Sequence, residues 1–319
     1  MSRETYENWI PDEVAASVIQ VADKGSAVEL AARTEVMASD LKRVPRSGGF
    51  TVGTVAKGGT YSESTSTNDY VELIARKIGG IERIAVEDLV DTTIDPLAVK
   101  RVDAAYAMGK FFDNAALGTK VVANGTTVPF NSVYYTVTQA DAAVGYTANA
   151  NLKATAGALT YAKLVETISA VGAGDWGSDL VIIAHPTFRF ETLGITGNNV
   201  PLIDNALTGG WEGRTLLGVP VLWSQGAKVS ATASGASGSG TPGVAGTNGN
   251  PLLIVANRSL LIKGVANLPG VSNGAPGFSF QDVNDGAGYL TDESLMKAAM
   301  RRGFAVGNVN GVAVLERTA

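Results

Sequence analysis

The stretch from Gly48 to Val86 constrains this chain most, because it reads as a long β-hairpin with no clean apolar face. Phe50 to Val55 favours strand, Lys57-Gly58-Gly59-Thr60 and the run from Ser62 to Asp69 make a polar tip, and Tyr70 to Ile78 is the return strand. Along that return strand Tyr70, Ile74 and Ile78 share one face with Glu72 and Arg76, while Val71, Leu73 and Ala75 share the other with Lys77. A two-stranded hairpin alone is marginal in water. Such an arm must lie either on its own domain or on a second copy of the chain, and the second copy is the expectation here.

The flanking segments carry clearer signals. Pro11-Asp12-Glu13 opens a helix with Val14, Val18 and Val21 as its stripe, and Gly25 closes it before Ser26, which can N-cap a second short helix. Glu35 to Val44 reads as extended. Asp95-Pro96 pairs an N-cap with proline at the first helical position, and Val99, Val102, Tyr106, Phe112 and Ala116 recur at helical spacing as far as Gly118. Val133 to Val137 and Gly145 to Ala158 read as strand and turn. From Thr160 the texture becomes α/β: a helix through Leu164, Ile168 and Val171, then the apolar run Leu180 to Ala184 with the length of a buried strand. A short helix after His185-Pro186 follows, with strands at Val219–Trp223, Leu252–Val255 and Ser259–Ile262. Ser230 to Asn250 has the composition of a flexible linker, and is expected to be held by neighbours. Near the end, acids at Asp292-Glu293 and bases at Arg301-Arg302 predict a helix. Strands at Phe304–Val309 and Val312–Leu315 should form a hairpin about Asn310-Gly311.

Composition excludes several functions. The chain has 319 residues and no cysteine, so disulfides, thiolate zinc sites and cysteine nucleophiles are ruled out. Charged residues are 17% and the net charge is −5, with Lys and Arg scattered, so phosphate-driven DNA binding is not expected. No apolar run approaches the roughly 20 residues of a membrane helix, and no signal peptide is visible, so no membrane association is expected and synthesis in the cytoplasm is the default. His185 is the single histidine, and no Gly-x-Ser-x-Gly elbow accompanies it. It reads as a strand-end side chain satisfied by backbone. The pairs Gly48-Gly49, Gly58-Gly59, Gly79-Gly80 and Gly209-Gly210 read as turns or bends, none with phosphate-loop spacing. Asp282, Asn284, Asp285 and Asp292 lack the spacing of a calcium loop. Trp9, Trp176, Trp211 and Trp223 read as packing or interface anchors. No catalytic, cofactor-binding or metal residue is assigned, and the chain is read as a non-enzyme.

Several phrases, in order along nearly the whole chain, resemble the major capsid proteins of tailed bacteriophages, the Hong Kong 97 fold. They are Trp9-Ile10-Pro11-Asp12-Glu13-Val14, Gly25-Ser26-Ala27-Val28, Lys57-Gly58-Gly59-Thr60-Tyr61, Ala184-His185-Pro186-Thr187, Thr215 to Val221, and the ending from Asp292. The resemblance implies an α+β fold. Residues 1–12 would be an N-terminal arm, 13–46 the first part of a peripheral domain, and 47–85 an extended loop. Residues 86–158 would carry the long spine helix of the peripheral domain. Residues 159–265 would be an axial α/β domain with an insertion at 230–250, and 266–319 would return to the peripheral domain. It implies self-assembly into pentamers and hexamers of an icosahedral shell around viral double-stranded DNA, without sequence-specific binding, in a virion assembled in the host cytoplasm. Scaffolding, portal and decoration proteins are the implied partners; the initiator methionine favours a separate scaffolding protein. The founding member joins subunits through a Lys–Asn bond, for which Lys57 and Asn308 or Asn310 stand in broadly comparable regions; exposed lysine and turn asparagine is the reading preferred here. The alternative within this fold is an encapsulin, a bacterial cage for cargo enzymes.

Overall fold

A computed structural model describes residues 25–50, 52–63, 68–91, 95–172, 175–197, 200–201, 203–204, 215–235, 244–267, 277–281 and 292–318. The expected helix from Pro11, Trp9, Trp211, Gly209-Gly210 and the acidic loop at 282–285 lie outside them.

Ser26 caps a short helix, α1 (Ala27–Ala31), by accepting from the Glu29 backbone N–H. Strand β1 (Arg33–Met37) follows, then β2 (Leu41–Arg46), β3 (Asp69–Ile74) and β4 (Arg76–Ala85). The hairpin therefore pairs differently from expectation. β3 finds its partner in β2, not in Phe50–Val55, because Lys42, Val44 and Arg46 set alternate side chains against Leu73, Val71 and Asp69. Gly79-Gly80 is likewise no turn but the interior of β4.

After α2 (Val86–Asp91) comes α3 (Pro96–Leu117), about 33 Å long at 1.5 Å per residue. Asp95 accepts from the Leu97 N–H, as the Asp-Pro signal predicts. The apolar stripe is buried only from Met108 onward, whereas Val102 is exposed. The first half of the helix is thus at most half-buried, touching the core through Ala104. Val133–Thr138 is a helix, α4, where β-branched and aromatic residues suggested strand. Ser132 caps it, and Val133, Tyr134 and Val137 fall on one buried face, so local capping and packing override propensity.

The remaining elements are β5 (Leu152–Thr155), α5 (Tyr161–Gly172), β6 (Leu180–Ala184), α6 (Thr187–Gly194), β7 (Thr196–Gly197), β8 (Val200–Pro201), β9 (Ile203–Asp204), β10 (Thr215–Leu216) and β11 (Val219–Trp223). They end with β12 (Leu252–Asn257), β13 (Leu261–Ala266), β14 (Gly277–Gln281), β15 (Glu293–Val306) and β16 (Val312–Arg317). Seven strands form one sheet in the order β5-β16-β12-β6-β11-β10-β9. Both of its faces are buried, which is why β6, β12 and β16 read as unbroken apolar runs. Ile182, Leu253, Val255 and Leu315 face α5 and α6, while Val181, Ile183, Ile254 and Val314 face α3 and α4. The chain is a mixed α+β protein.

A second sheet holds β1, β13, β15 and β14, with β4 on the other side of β15. Its long strand corrects the C-terminal reading. Glu293 to Arg302 is not a helix but part of β15, and Ser294, Met296, Ala298 and Met300 are buried at alternate positions. Alanine, methionine and the charge order favour helix only weakly. Cross-strand partners on both edges, β4 on one and β13 with β14 on the other, satisfy the backbone and decide the outcome. Asn310-Gly311 is no hairpin either. β15 and β16 belong to different sheets, and a 3-10 turn at Val309–Gly311, capped by Asn308, passes the chain between them.

Gly79 lets β4 lie against β15. A Cβ there would stand 2.2 Å from the Ala298 carbonyl oxygen, whereas one on Gly80 would meet nothing within 4 Å. Gly79→Ala should cost about 1–3 kcal/mol in chemical denaturation, and Gly80→Ala should leave stability nearly unchanged.

Candidate assembly surface

The root of the arm has two unlike faces. Val44, Val71 and Leu73 point inward and pack with Met37, Ile262, Ala266 and Ala305, so the base of the hairpin rests on its own sheet. Leu73 is wholly buried, and Gly264 makes room for it: a Cβ there would come within 2.9 Å of the Leu73 methyl carbon. The root is then pinned by Arg46. Its guanidinium donates to Asp69 across the hairpin at 2.8 Å, to Asp141 at 2.8 Å and to the Gly307 carbonyl at 3.3 Å. The hydrogen bond from Arg46 holds the Asp69 carboxyl below the usual carboxylate range.

The outer face pairs Leu41 with Ile74, Arg43 with Glu72 and Pro45 with Tyr70. Arg43 lies over the Tyr70 ring at 4.4 Å and pairs with Glu72 at 3.2 Å. Beyond this root Phe50 is 81% exposed and Val52 and Tyr61 are each 82% exposed. Among the described residues, the other large apolar side chains above 60% exposure are Leu30, Val36, Ile81 and Val90. All seven lie on the arm, on α1, on the edge strands β1 and β4, or on α2. None belongs to the seven-stranded sheet or its helices, so the unpartnered apolar surface is concentrated on one half of the molecule.

Two buried acids, Asp113 and Glu316, and a half-buried one, Glu29, fix the body that carries this arm. Asp113, on α3, accepts from the Ser26 hydroxyl, from the N–H groups of Ala27 (2.9 Å) and Val28 (3.1 Å), and from the Ser224 hydroxyl (2.6 Å). Burial pushes its pKa up, opposed by these four donors. Glu316, on β16, accepts from the Tyr134 hydroxyl at 2.8 Å, the Gly246 N–H at 2.7 Å and the Asn250 amide at 2.6 Å. Burial, with Glu316 beside it, raises the Tyr134 phenol. Glu29 is bridged by Lys263 at 2.7 Å and by Arg302 at 2.5 Å; burial alone would raise its pKa, but the two cations hold it low. The described parts of the 230–250 stretch are consequently held within the chain, by Glu316 and by the Asn114 amide bonded to the carbonyls of Thr232 and Ala233. For these parts, own-chain contacts replace the expected neighbours.

Sequence reasoning singled out other residues. His185 does not rest on backbone alone: its Nδ1 lies 2.8 Å from the Thr187 hydroxyl and accepts from the Thr187 N–H at 3.3 Å. Burial, then the charge of Lys228, lowers its pKa to about 4, opposed by a hydrogen bond to the Gln225 side chain. Lys57 lies in the exposed turn of the arm. Asn308 caps the turn before β16 and Asn310 donates to the Val144 carbonyl at 2.9 Å. Trp176 and Trp223, the latter at the end of β11, are partly buried against the core that α5 and α6 share with the seven-stranded sheet. Among the described residues, no group of three His, Asp or Glu side chains could hold a metal ion, and no helix is long and apolar enough to cross a membrane. Asp113, Glu316 and Arg46 went unnoticed in the sequence. An Asp-Asn pair inside an apolar helix stripe was the available signal for Asp113.

The fold is shared with solved structures across nearly the whole chain. A structure from Mycobacterium phage Bobi is 17% identical with a TM-score of 0.69, covering 98% of this chain and 97% of that one. One from Mycobacterium phage Ogopogo is 16% identical, TM-score 0.68, covering 99% and 100%. The capsid of a native GTA particle computed with C5 symmetry is 14% identical, TM-score 0.68, covering 98% and 96%. No family model matches the chain, and no curated protein matches it. The architecture is thus that of phage and GTA capsid structures.

Replacing Asp113 by Ala would leave two hydroxyls and two N–H groups without an acceptor. Thermal denaturation should show a loss of about 3 kcal/mol or more, with Asp113→Asn less damaging. His185 supplies a pH test. Its folded pKa of about 4 lies below the ordinary 6.5, so its contribution is complete above pH 6.5 and is lost as pH falls from there towards 4. His185→Gln should flatten the stability profile in that window relative to the parent protein.

Proposed function

We propose that this chain is the major capsid protein of a tailed bacteriophage, assembling into pentamers and hexamers of an icosahedral shell that encloses double-stranded DNA. The observation that carries the reading is the shared fold with the capsid of the GTA particle over 98% of the chain. The uncovered arm supports it, since Phe50, Val52 and Tyr61 find no cover on their own subunit among the described residues. In this reading residues 1–12 form the N-terminal arm and 47–85 the extended loop, which reaches over a neighbour. The sheet of β15 with α3 is the peripheral part, and the sheet of β6 with α5 and α6 is the axial part whose loops meet around the symmetry axes. The protein acts by structure and not by catalysis. A net charge of −5 and scattered cations let packaged DNA slide along the inner wall. Scaffolding, portal and decoration proteins are the partners of such a shell, built in the host cytoplasm.

Electron microscopy of the purified protein, with scaffold if required, should show closed shells or rings of five and six. Deleting 54–63, the described part of the exposed loop, should leave the circular dichroism spectrum intact and abolish the particles. A stable monomer under all assembly conditions, or unfolding on deletion, would contradict the reading. Boiled in detergent, particles should run as single subunits; a ladder that Lys57→Arg removes would instead reveal a covalent bond.

A further inference from the structure

Ile78, Gly80, Glu82 and Ile84 share one face of β4. Ile78 and Ile84 are buried there, but Gly80 between them is exposed, and a Cβ on it would meet nothing within 4 Å. Across the opening α3 presents the small side chains of Ala104 and Ala107, with Met108, Phe111 and Met296 among the walls. The cover of the sheet is therefore broken by a slot of about 450 Å³. We propose that this slot seats the Tyr61 side chain of a second copy of the chain. Such a seat rests on the proposed function, because it is filled only where copies assemble.

Three observations point to this occupant. The first is fit. Apolar-walled sites of a few hundred Å³ hold ring-sized groups, and a buried tyrosine needs a partner for its hydroxyl. Lys77 and Thr126 line the slot and supply one, which favours Tyr61 over Phe50 as the residue received. The second is availability. Tyr61 is 82% exposed, so the slot of its own subunit does not hold it. Its turn is formed all the same. Gly58 has a φ of +83° and the Gly59 N–H donates to the Ala56 carbonyl at 2.8 Å, so Lys57 and Tyr61 flank a tight bend. The third is charge. Just beyond the slot β4 runs into α2, where Glu87, Asp91 and Asp292 line a recess of about 380 Å³ with the exposed Val90. The cations nearby are taken, Lys100 by Glu82 at 2.6 Å and Arg83 by Glu293 at 3.0 Å, and among the described residues no cation pairs with those three acids. Lys57 of the incoming arm supplies one. Gly80 and Val86 stand about 20 Å apart at roughly 3.3 Å per residue of strand. The four residues from Lys57 to Tyr61 give up to about 14 Å of backbone, and their two long side chains reach the remainder.

Filling the slot tests the seat. Gly80→Phe should leave the circular dichroism spectrum unchanged and give at least about tenfold fewer particles. Tyr61→Ala should do the same, while Gly80→Ala, too small to fill the slot, should assemble like the parent. The absence of cysteine adds a direct readout. Full-length subunits carrying Thr60→Cys are co-assembled with subunits carrying Thr126→Cys and oxidised. A disulfide-linked dimer should form several-fold above the control pair of Thr60→Cys with Tyr161→Cys on α5. Should Gly80→Phe fail to fold, Tyr61→Ala and this dimer decide. Normal particles from folded Gly80→Phe or from Tyr61→Ala, or a dimer no stronger than the control, would overturn the seat while leaving the shell reading intact. With both cysteines in one dilute chain, a faster-migrating monomer as the main product would assign the slot to the subunit's own arm and overturn it too. A parent chain that never assembles would remove the shell reading and this seat together.

Discussion

Burying the Asp113 carboxylate is the constraint on which the body depends. A carboxylate removed from water must collect donors, and here they reach α3 from two places: the start of α1 and the end of β11. α1 leads directly into β1 of the sheet that carries the arm, and β11 belongs to the seven-stranded sheet. One side chain on the second half of α3 therefore sets the relation between the two sheets. Phe112, stacked edge-on against Phe130 at 5.6 Å and Phe304 at 6.4 Å, fills the apolar space beside it.

The same economy does not extend to the arm. Its root is committed to the subunit through Leu73 and the Arg46 pairs, so its direction is fixed where it leaves the body. Past the root the apolar groups Phe50, Val52 and Tyr61 face solvent. A stiffly held root with an uncovered end is a lever presented to another surface. In the proposed function that surface belongs to a further copy of the chain.

Much of this was legible in the residues, and the misses have physical causes. Asp95-Pro96 located α3 to its first residue, Ser26 located the α1 cap, and Leu180 to Ala184 announced a strand buried on both faces. These signals are local, set by capping groups or by continuous burial. The Glu293–Val306 strand was misread because its partners, β4 and β13, are remote in sequence while its alanines and charge order favour helix locally. Val133–Thr138 failed in the opposite direction: β-branched residues suggested strand, and the Ser132 cap with one-sided burial made a helix. The strand partner of β3 was misassigned for a related reason, since Phe50–Val55 and Leu41–Arg46 are both plausible strands. Only the inward set Lys42, Val44 and Arg46 meets a surface that suits it. The polar network at Asp113 joins residues more than eighty positions apart, so the Asp-Asn pair in the helix stripe marks a buried polar site without naming its partners.

The central claim is that the arm is ordered by other copies of the chain and the body by itself. Amide hydrogen exchange on the free subunit and on the assembled particle measures this directly. The account predicts that β6, β12 and β16 are protected equally in both, while residues 48–63 and the outer face of β2 and β3 are open in the subunit and become protected on assembly. Equal protection of 48–63 in the two states would show that the subunit covers its own arm, and the claim would fail.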